Sequence, residues 1–362
     1  MRFTIDVPQS VLDDLDARLR RVRLPAAAPG APWAAGTDPG YLGELVEYWR
    51  TGYDWRAAER RLNAHPQFVL EVAGTSIHFV HVRGRGVDRV PLILTHGWPS
   101  TFAEMLPLVP LLADGFDLVI PDLPGFGFSA PLRGPATEAA IADVWAALMS
   151  RLGYDRFGAG GGDIGSGVSA WLGARYPERV IGIHTHHIKF PPAGRRGELS
   201  TAEQAFVAKL AAKSSDDYGY GIIQATRPDT LAAALTDSPA GLAAWLVEKF
   251  QRWSDCAGQV ERRFSKDDLL TNVMLYWITG SIGTSFRPYR DDELAPELPM
   301  VDVPVGVTMS VEDAGLPREF AERTYSDIRY WREPTVGGHF FAQEEPELLA
   351  DELRLFFRLC RS

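Results

Sequence analysis

Cysteine is nearly missing from this chain: Cys256 and Cys360 are the only two in 362 residues. Two thiols so far apart supply no disulfide framework, and they point to a reducing compartment. Basic charge is also short, with 37 Lys and Arg against 47 Asp and Glu and a net charge of −10. Nucleic-acid binding wants a basic face, so this balance speaks against it and for solubility. Long apolar runs are absent. No stretch approaches the roughly 20 residues of a membrane-crossing helix, and Met1-Arg2-Phe3-Thr4-Ile5-Asp6 lacks the apolar segment of a signal peptide. The expectation is a cytoplasmic protein with neither nucleic acid nor membrane as partner. Internal repeats and low-complexity tracts are missing too. What remains is an ordinary globular composition, 46% hydrophobic and 23% charged, on a chain long enough for a core domain with insertions.

The first 63 residues read as helices. Val7, Val11, Leu12, Leu15, Leu19 and Val22 recur at helical spacing within 6–23, and Pro25 to Pro32 must be irregular. Further helices are expected over Asp38 to Thr51 and Asp54 to Asn63, before any strand, wrapping an exterior surface of the main domain. Phe68 to Val72 and Ile77 to Val82, parted by Gly74, read as a hairpin or meander. From Val90 the pattern becomes short, wholly apolar strands separated by helices, the sign of a buried parallel sheet. Pro91 to Thr95, Phe116 to Ile120 and Phe157 to Ala159 are such strands, with helices over Ala103 to Ala113 and Glu138 to Leu152. Residues 190–295 break the alternation with long helical patterns, Thr201 to Lys213, Leu242 to Trp253 and Leu269 to Thr279. An all-helical insertion of this kind is expected to cover the carboxyl edge of the sheet, where ligands bind. Alternation resumes at Pro304 to Met309, with a helix at Arg318 to Arg323, a strand near Ile328 and a last helix from Glu345 to Leu359.

The organising stretch is Gly160-Gly161-Gly162-Asp163-Ile164-Gly165-Ser166-Gly167. Strand, glycine-bracketed polar residue and helix resemble the nucleophile elbow of α/β-hydrolases, with Asp in place of Ser. Taken alone, the same run also reads as a glycine turn whose Asp caps a helix. His96-Gly97-Trp98-Pro99-Ser100 follows a strand one β-α-β-α unit earlier. In the hydrolase reading its backbone completes an oxyanion hole, with the amides of Trp98 and Ile164 as donors. Asp122, after the next strand, reads as structural. His339, in Gly337-Gly338-His339-Phe340, lies between the last strand and the last helix, where the general base of this fold belongs. Glu312 and Asp313 both follow the strand ending near Met309; spacing to His339 favours Glu312, spacing from the strand Asp313, and Glu312 is the choice made here. His184, His186 and His187 have no acidic or Cys partner at ligand spacing and read as pocket-lining or structural.

With these motifs in place, the chain resembles the microsomal-type epoxide hydrolases over nearly its whole length. The front carries Gly36-Thr37-Asp38, Tyr48-Trp49-Arg50 and Tyr53-Asp54-Trp55-Arg56; the core carries His96 to Ser100 and Gly161-Gly162-Asp163. Asp237 to Trp245, Asp267 to Asn272 and Arg332 to Pro346 follow in family order. The resemblance implies an α/β-hydrolase fold with a mostly parallel central sheet. It implies an N-terminal extension over 1–88, a core of 89–189 and 296–362, and a helical cap over 190–295. It also implies two cap tyrosines that hold and protonate the epoxide oxygen. Tyr220 matches the first by its place before Gln224, with Tyr218 as fallback, and Tyr289 in Arg287-Pro288-Tyr289 matches the second. Two departures stand out. The family usually has Trp where this chain has Ile164, and mammalian members carry a membrane anchor ahead of the soluble domain at which this chain begins.

The reaction so implied is hydrolysis of an epoxide to a vicinal diol with no cofactor and no metal. An Asp nucleophile suits attack on an sp3 carbon carrying a leaving group, here the strained epoxide C–O bond. Two other readings share the scaffold: a haloalkane or haloacid dehalogenase, and a non-catalytic binding protein. The paired tyrosines favour the epoxide. Expected partners are the small-molecule epoxide and water, with a homodimer left open. The Ala-, Arg- and Gly-rich composition hints at a bacterial source, and the role stands open between detoxification and natural-product biosynthesis.

Overall fold

In the computed structural model, residues 1–361 are described, apart from the side chains of 213–216 and Glu312. One nine-stranded sheet runs through the molecule. Its strands are β1 (Arg2–Phe3), β2 (Gln67–Val72), β3 (Thr75–Val82), β4 (Val90–Thr95), β5 (Phe116–Pro121), β6 (Phe157–Gly161), β7 (Val180–Thr185), β8 (Val305–Thr308) and β9 (Ile328–Arg332). In space they lie β1-β2-β3-β5-β4-β6-β7-β8-β9. The first three pair antiparallel, β3 meets β5 antiparallel, and every pairing from β5 to β9 is parallel. This is the α/β-hydrolase architecture. The chain turns outward from β4 to β5 on one side and from β6 to β7 on the other, so adjacent β4 and β6 mark the point where strand order reverses.

Sequence explains the layers. Strands β5 and β6 are buried throughout, which the wholly apolar runs anticipate for a sheet covered on both faces. The front carries α1 (Gln9–Leu19), α2 (Pro39–Thr51) and α3 (Trp55–Asn63). Asp38 and Asp54 cap the latter two, each accepting a backbone N–H of its first turn. Among the core strands lie α4 (Leu108–Leu112), α5 (Glu138–Arg151) and α6 (Ile164–Arg175). Between β7 and β8 come α7 (Ala193–Arg196), α8 (Thr201–Asp217), α9 (Gly219–Thr226), α10 (Pro228–Asp237), α11 (Pro239–Trp253), α12 (Lys266–Thr279) and α13 (Arg287–Asp291). The chain ends with α14 (Arg318–Glu322), α15 (Phe341–Glu344) and α16 (Pro346–Leu359).

Several elements differ from the sequence expectation. A strand does precede the opening helices, because Arg2 and Phe3 pair with Phe68 and Gln67 at the sheet edge. The front helices lie on the helical block, with Tyr48 Oη donating to Asp267 Oδ1 at 2.8 Å and Thr37 Oγ1 to the Ala244 carbonyl at 2.6 Å. The single helix expected over Ala103 to Ala113 is a 3-10 turn, Phe102–Met105, followed by α4, with Pro107 at the junction. Strand β6 runs on into the glycines as far as Gly161.

Candidate active site

The site forms at the carboxyl ends of β4 and β6, where strand order reverses. Leaving β6, the backbone takes φ 50° and ψ −126° at Asp163 before α6 begins. A non-glycine residue there is strained by about 1–3 kcal/mol and persists only where its surroundings hold it. Two contacts do so. The Asp163 N–H donates to His187 Nδ1 at 2.8 Å, and the Ser166 N–H donates to the Asp163 carbonyl at 3.0 Å. Close approach explains two glycines: a Cβ on Gly161 would fall 2.1 Å from the Thr95 carbonyl oxygen, and one on Gly97 would fall 2.3 Å from Asp163 Oδ1.

Gly97 thus lets the loop after β4 ride directly on the carboxyl group. The Trp98 N–H donates to Asp163 Oδ1 at 2.8 Å, and the nearby Ile164 amide also favours the charged carboxylate. On its other side, Asp163 Oδ2 lies 4.0 Å from His339 Nε2. Burial raises the Asp163 pKa, while the Trp98 and Ile164 amides and the Lys189 cation pull it back. His96 is buried beneath the loop, accepting the Leu123 N–H at Nε2. Asp122 is also buried and bonds His78 Nδ1 at 2.8 Å and the Phe128 N–H at 3.0 Å.

Facing Asp163 are phenols from the helical block. Tyr220 of α9 stacks on Trp98 with ring centroids 5.2 Å apart and planes at 9°, and Tyr289 of α13 meets the same indole edge-on at 6.0 Å. The two tyrosine rings meet edge-on, with centroids 5.9 Å apart. Burial, with the nearby Asp163 carboxylate, raises both pKa values above that of a free phenol, so both stay neutral donors. Asp163, Ile164, Tyr218, Tyr220, Tyr289 and His339 all line one cavity of about 450 Å³. Asp313 lines it as well, whereas the Glu312 side chain lies outside the described residues.

His187, just past the end of β7, lines the cavity, in keeping with the pocket-lining or structural expectation, and accepts the amide of Asp163 itself. Three further neighbours are not among the site residues expected from the sequence. Trp253 of α11 accepts the His339 N–H at its carbonyl, 2.8 Å, with its ring 4.9 Å from the imidazole. Lys249, one turn earlier, lies 4.5 Å over the Tyr220 ring. Glu344 of α15 accepts the N–H groups of Gly338 and Phe340, both at 3.1 Å, and so clamps the backbone on either side of His339. For Lys249 and Trp253 the sequence offers helical spacing, which puts both on one face of α11.

Comparison with known proteins bears on the family and the fold. Residues 1–105 match the family model for the epoxide hydrolase N terminus, and residues 90–276 match that for the alpha/beta hydrolase fold. A Stigmatella aurantiaca protein, provisionally named an epoxide hydrolase, is 42% identical over 99% of this chain and 85% of its own. Epoxide hydrolase 1 of Oryctolagus cuniculus is 33% identical over 99% of this chain and 88% of its own. The crystal structure of juvenile hormone epoxide hydrolase from Bombyx mori superposes with a TM-score of 0.93 at 28% identity, covering 99% of this chain and 94% of that one. This chain belongs to the epoxide hydrolase family of the α/β-hydrolase fold.

Proposed function

We propose that this enzyme opens an epoxide to a vicinal diol through an ester formed on Asp163. The observation that carries the reading is the setting of one carboxylate: Oδ1 against the Trp98 amide, Oδ2 toward His339, and two neutral phenols across the cavity. Because Oδ1 is held by amides, Oδ2 is the attacking atom. It forms a bond to an epoxide carbon as the C–O bond breaks, and the alkoxide takes a proton from the Tyr220–Tyr289 pair. In the second step His339 Nε2 removes a proton from water, and the hydroxide adds to the carboxyl carbon of Asp163. The oxyanion then rests on Oδ1, facing the Trp98 and Ile164 amides. Collapse breaks the Cγ–Oδ2 bond, the imidazolium gives its proton to Oδ2, the diol leaves with that oxygen, and the proton of the new Asp163 carboxyl group restores the tyrosinate to a phenol. The helices of 190–295 act as the cap that brings the tyrosines to the nucleophile, with 1–88 as its outer brace.

Glu312 is the residue proposed to hold His339 in its working tautomer. Asp313 is the second reading, favoured by its place on the cavity wall. Intact-mass measurement after mixing with styrene oxide separates the roles. His339→Gln should gain the substrate's mass and keep it, since alkylation needs no base. Asp163→Asn should gain nothing. Glu312→Gln should accumulate the adduct and Asp313→Asn should not; the opposite pattern moves the role to Asp313. Halide release from a bromoalkane without diol formation from the epoxide would turn the reading to a dehalogenase, and an adduct on Asp163→Asn would remove Asp163 as nucleophile. The enzyme is further proposed to work in the cytoplasm.

A further inference from the structure

Beyond the tyrosines the cavity wall carries charged side chains that make and break no bond in the two-step reaction. Lys189 Nζ lies 2.6 Å from Glu138 Oε2, and both side chains line the cavity together with Asp292. Three separate segments build this corner. Lys189 belongs to the stretch between β7 and α7, Glu138 opens α5, and Asp292 follows α13. The pair is fixed in place: a Cβ on Gly167 of α6 would fall 2.1 Å from the Glu138 carboxyl carbon, so the carboxylate rests against that helix. The Lys189 N–H donates to the buried Tyr325 hydroxyl, and the Ala136 N–H donates to Asp291 Oδ2 at 2.8 Å, tying the approach to α5 to the end of α13. With the Lys189 side chain one-third exposed, the pair adds little stability, so its place on a substrate cavity asks for a ligand.

The chemistry of that ligand follows from donor count and charge. A lysine ammonium has three N–H donors; Glu138 takes one and leaves others for the cavity. Glu138 also cancels the lysine's charge, and Asp292 and Asp163 add negative potential, so a second anion is repelled. Resting on the epoxide-opening reading, we propose that the Lys189–Glu138 corner is a substrate subsite for a neutral oxygen acceptor, such as an ester or ether, on the chain attached to the epoxide ring.

Steady-state kinetics on three substrates of equal chain length test this: a terminal alkyl epoxide, its methyl-ester analogue, and the free carboxylate of that ester. The wild-type enzyme should prefer the ester to the alkyl epoxide by about tenfold in kcat/KM, the scale of one hydrogen bond to a charged donor, and should process the carboxylate more slowly than the ester. Lys189→Met combined with Glu138→Gln removes the donor without leaving an unpaired carboxylate, and should lower the ester-to-alkyl ratio about tenfold. The ratio cancels a general loss of folded enzyme, and the wild-type comparison needs no variant. Equal efficiencies for ester and alkyl epoxide, a carboxylate that is preferred, or a ratio unmoved by the double substitution would overturn the subsite alone. No diol from any of the three would sink the epoxide reading with it.

Discussion

At the scale of single residues, burial raises the pKa values of Asp163, Tyr220 and Tyr289 alike. Tyr220 and Tyr289 are both held neutral. Each Tyr→Phe variant should slow alkylation on the order of 10²-fold, as for a lost general acid, and leave ester hydrolysis nearly unchanged in rapid-mixing experiments. Wild-type alkylation by both variants would remove the tyrosines from the reaction. On the proposed mechanism the attacking form of Asp163 is its carboxylate, so alkylation should be lost as pH falls through its pKa. Since burial raises that pKa, the midpoint should lie above the ordinary aspartate value of about 3.9; a lower midpoint would mean that the two amides outweigh burial. Residue types in local motifs made the placement of Asp163, of the Trp98 and Ile164 amides and of His339 around one cavity legible in the sequence, and His187 was expected on the pocket wall. Lys249, Trp253 and Glu344 were not legible, because each touches a residue brought near only by the fold.

At the scale of elements, β6 and the turn after it are fixed by what a side chain would strike. Gly161 pairs with Thr95 of β4 and with Thr185 of β7, and its missing Cβ keeps the Thr95 carbonyl clear. Gly161→Ala should therefore cost about 3 kcal/mol by overpacking, visible as a lowered thermal midpoint, with alkylation impaired more than the surviving fold explains. An unchanged midpoint with full alkylation would show that the elbow relaxes freely. Most strands and long helices could be read because their periodicity is strong and their ends carry clear signals. Elsewhere the signal failed for physical reasons. Strand β7, Val180-Ile181-Gly182-Ile183-His184-Thr185, mixes glycine and polar residues into a buried run, and it was not singled out as an element. β1 spans two residues, too few for any pattern. The short helices α9 and α10 follow one another with little between them, and no sequence rule says which way a helical block will fold back.

At the scale of the whole molecule, three bodies of sequence share one structure. The front segment both extends the sheet through β1–β3 and grips the helical block, with Tyr53 Oη 3.1 Å from Thr271 Oγ1 and Arg18 paired to Asp237 at 2.8 Å. Removing the Tyr48 and Tyr53 hydroxyls together should weaken that grip by about 1 kcal/mol per bond. Hydrogen exchange should then rise in α11 and α12 while β4–β6 stay protected; a uniform rise everywhere would mean one cooperative unit. The insertion between β7 and β8 has its own consequence. Pairing Thr185 with Val307 must close a loop holding the entire helical block, yet the penalty grows only with the logarithm of its length. Order in time is affected more. A ribosome adding about 5–20 residues per second makes the elbow on the order of ten to thirty seconds before it makes His339. On the mechanism proposed above, the cap tyrosines are also made before His339, so a late nascent chain would hold the groups that capture an epoxide and lack the one that releases it. Under that proposal, finishing synthesis would double as self-repair.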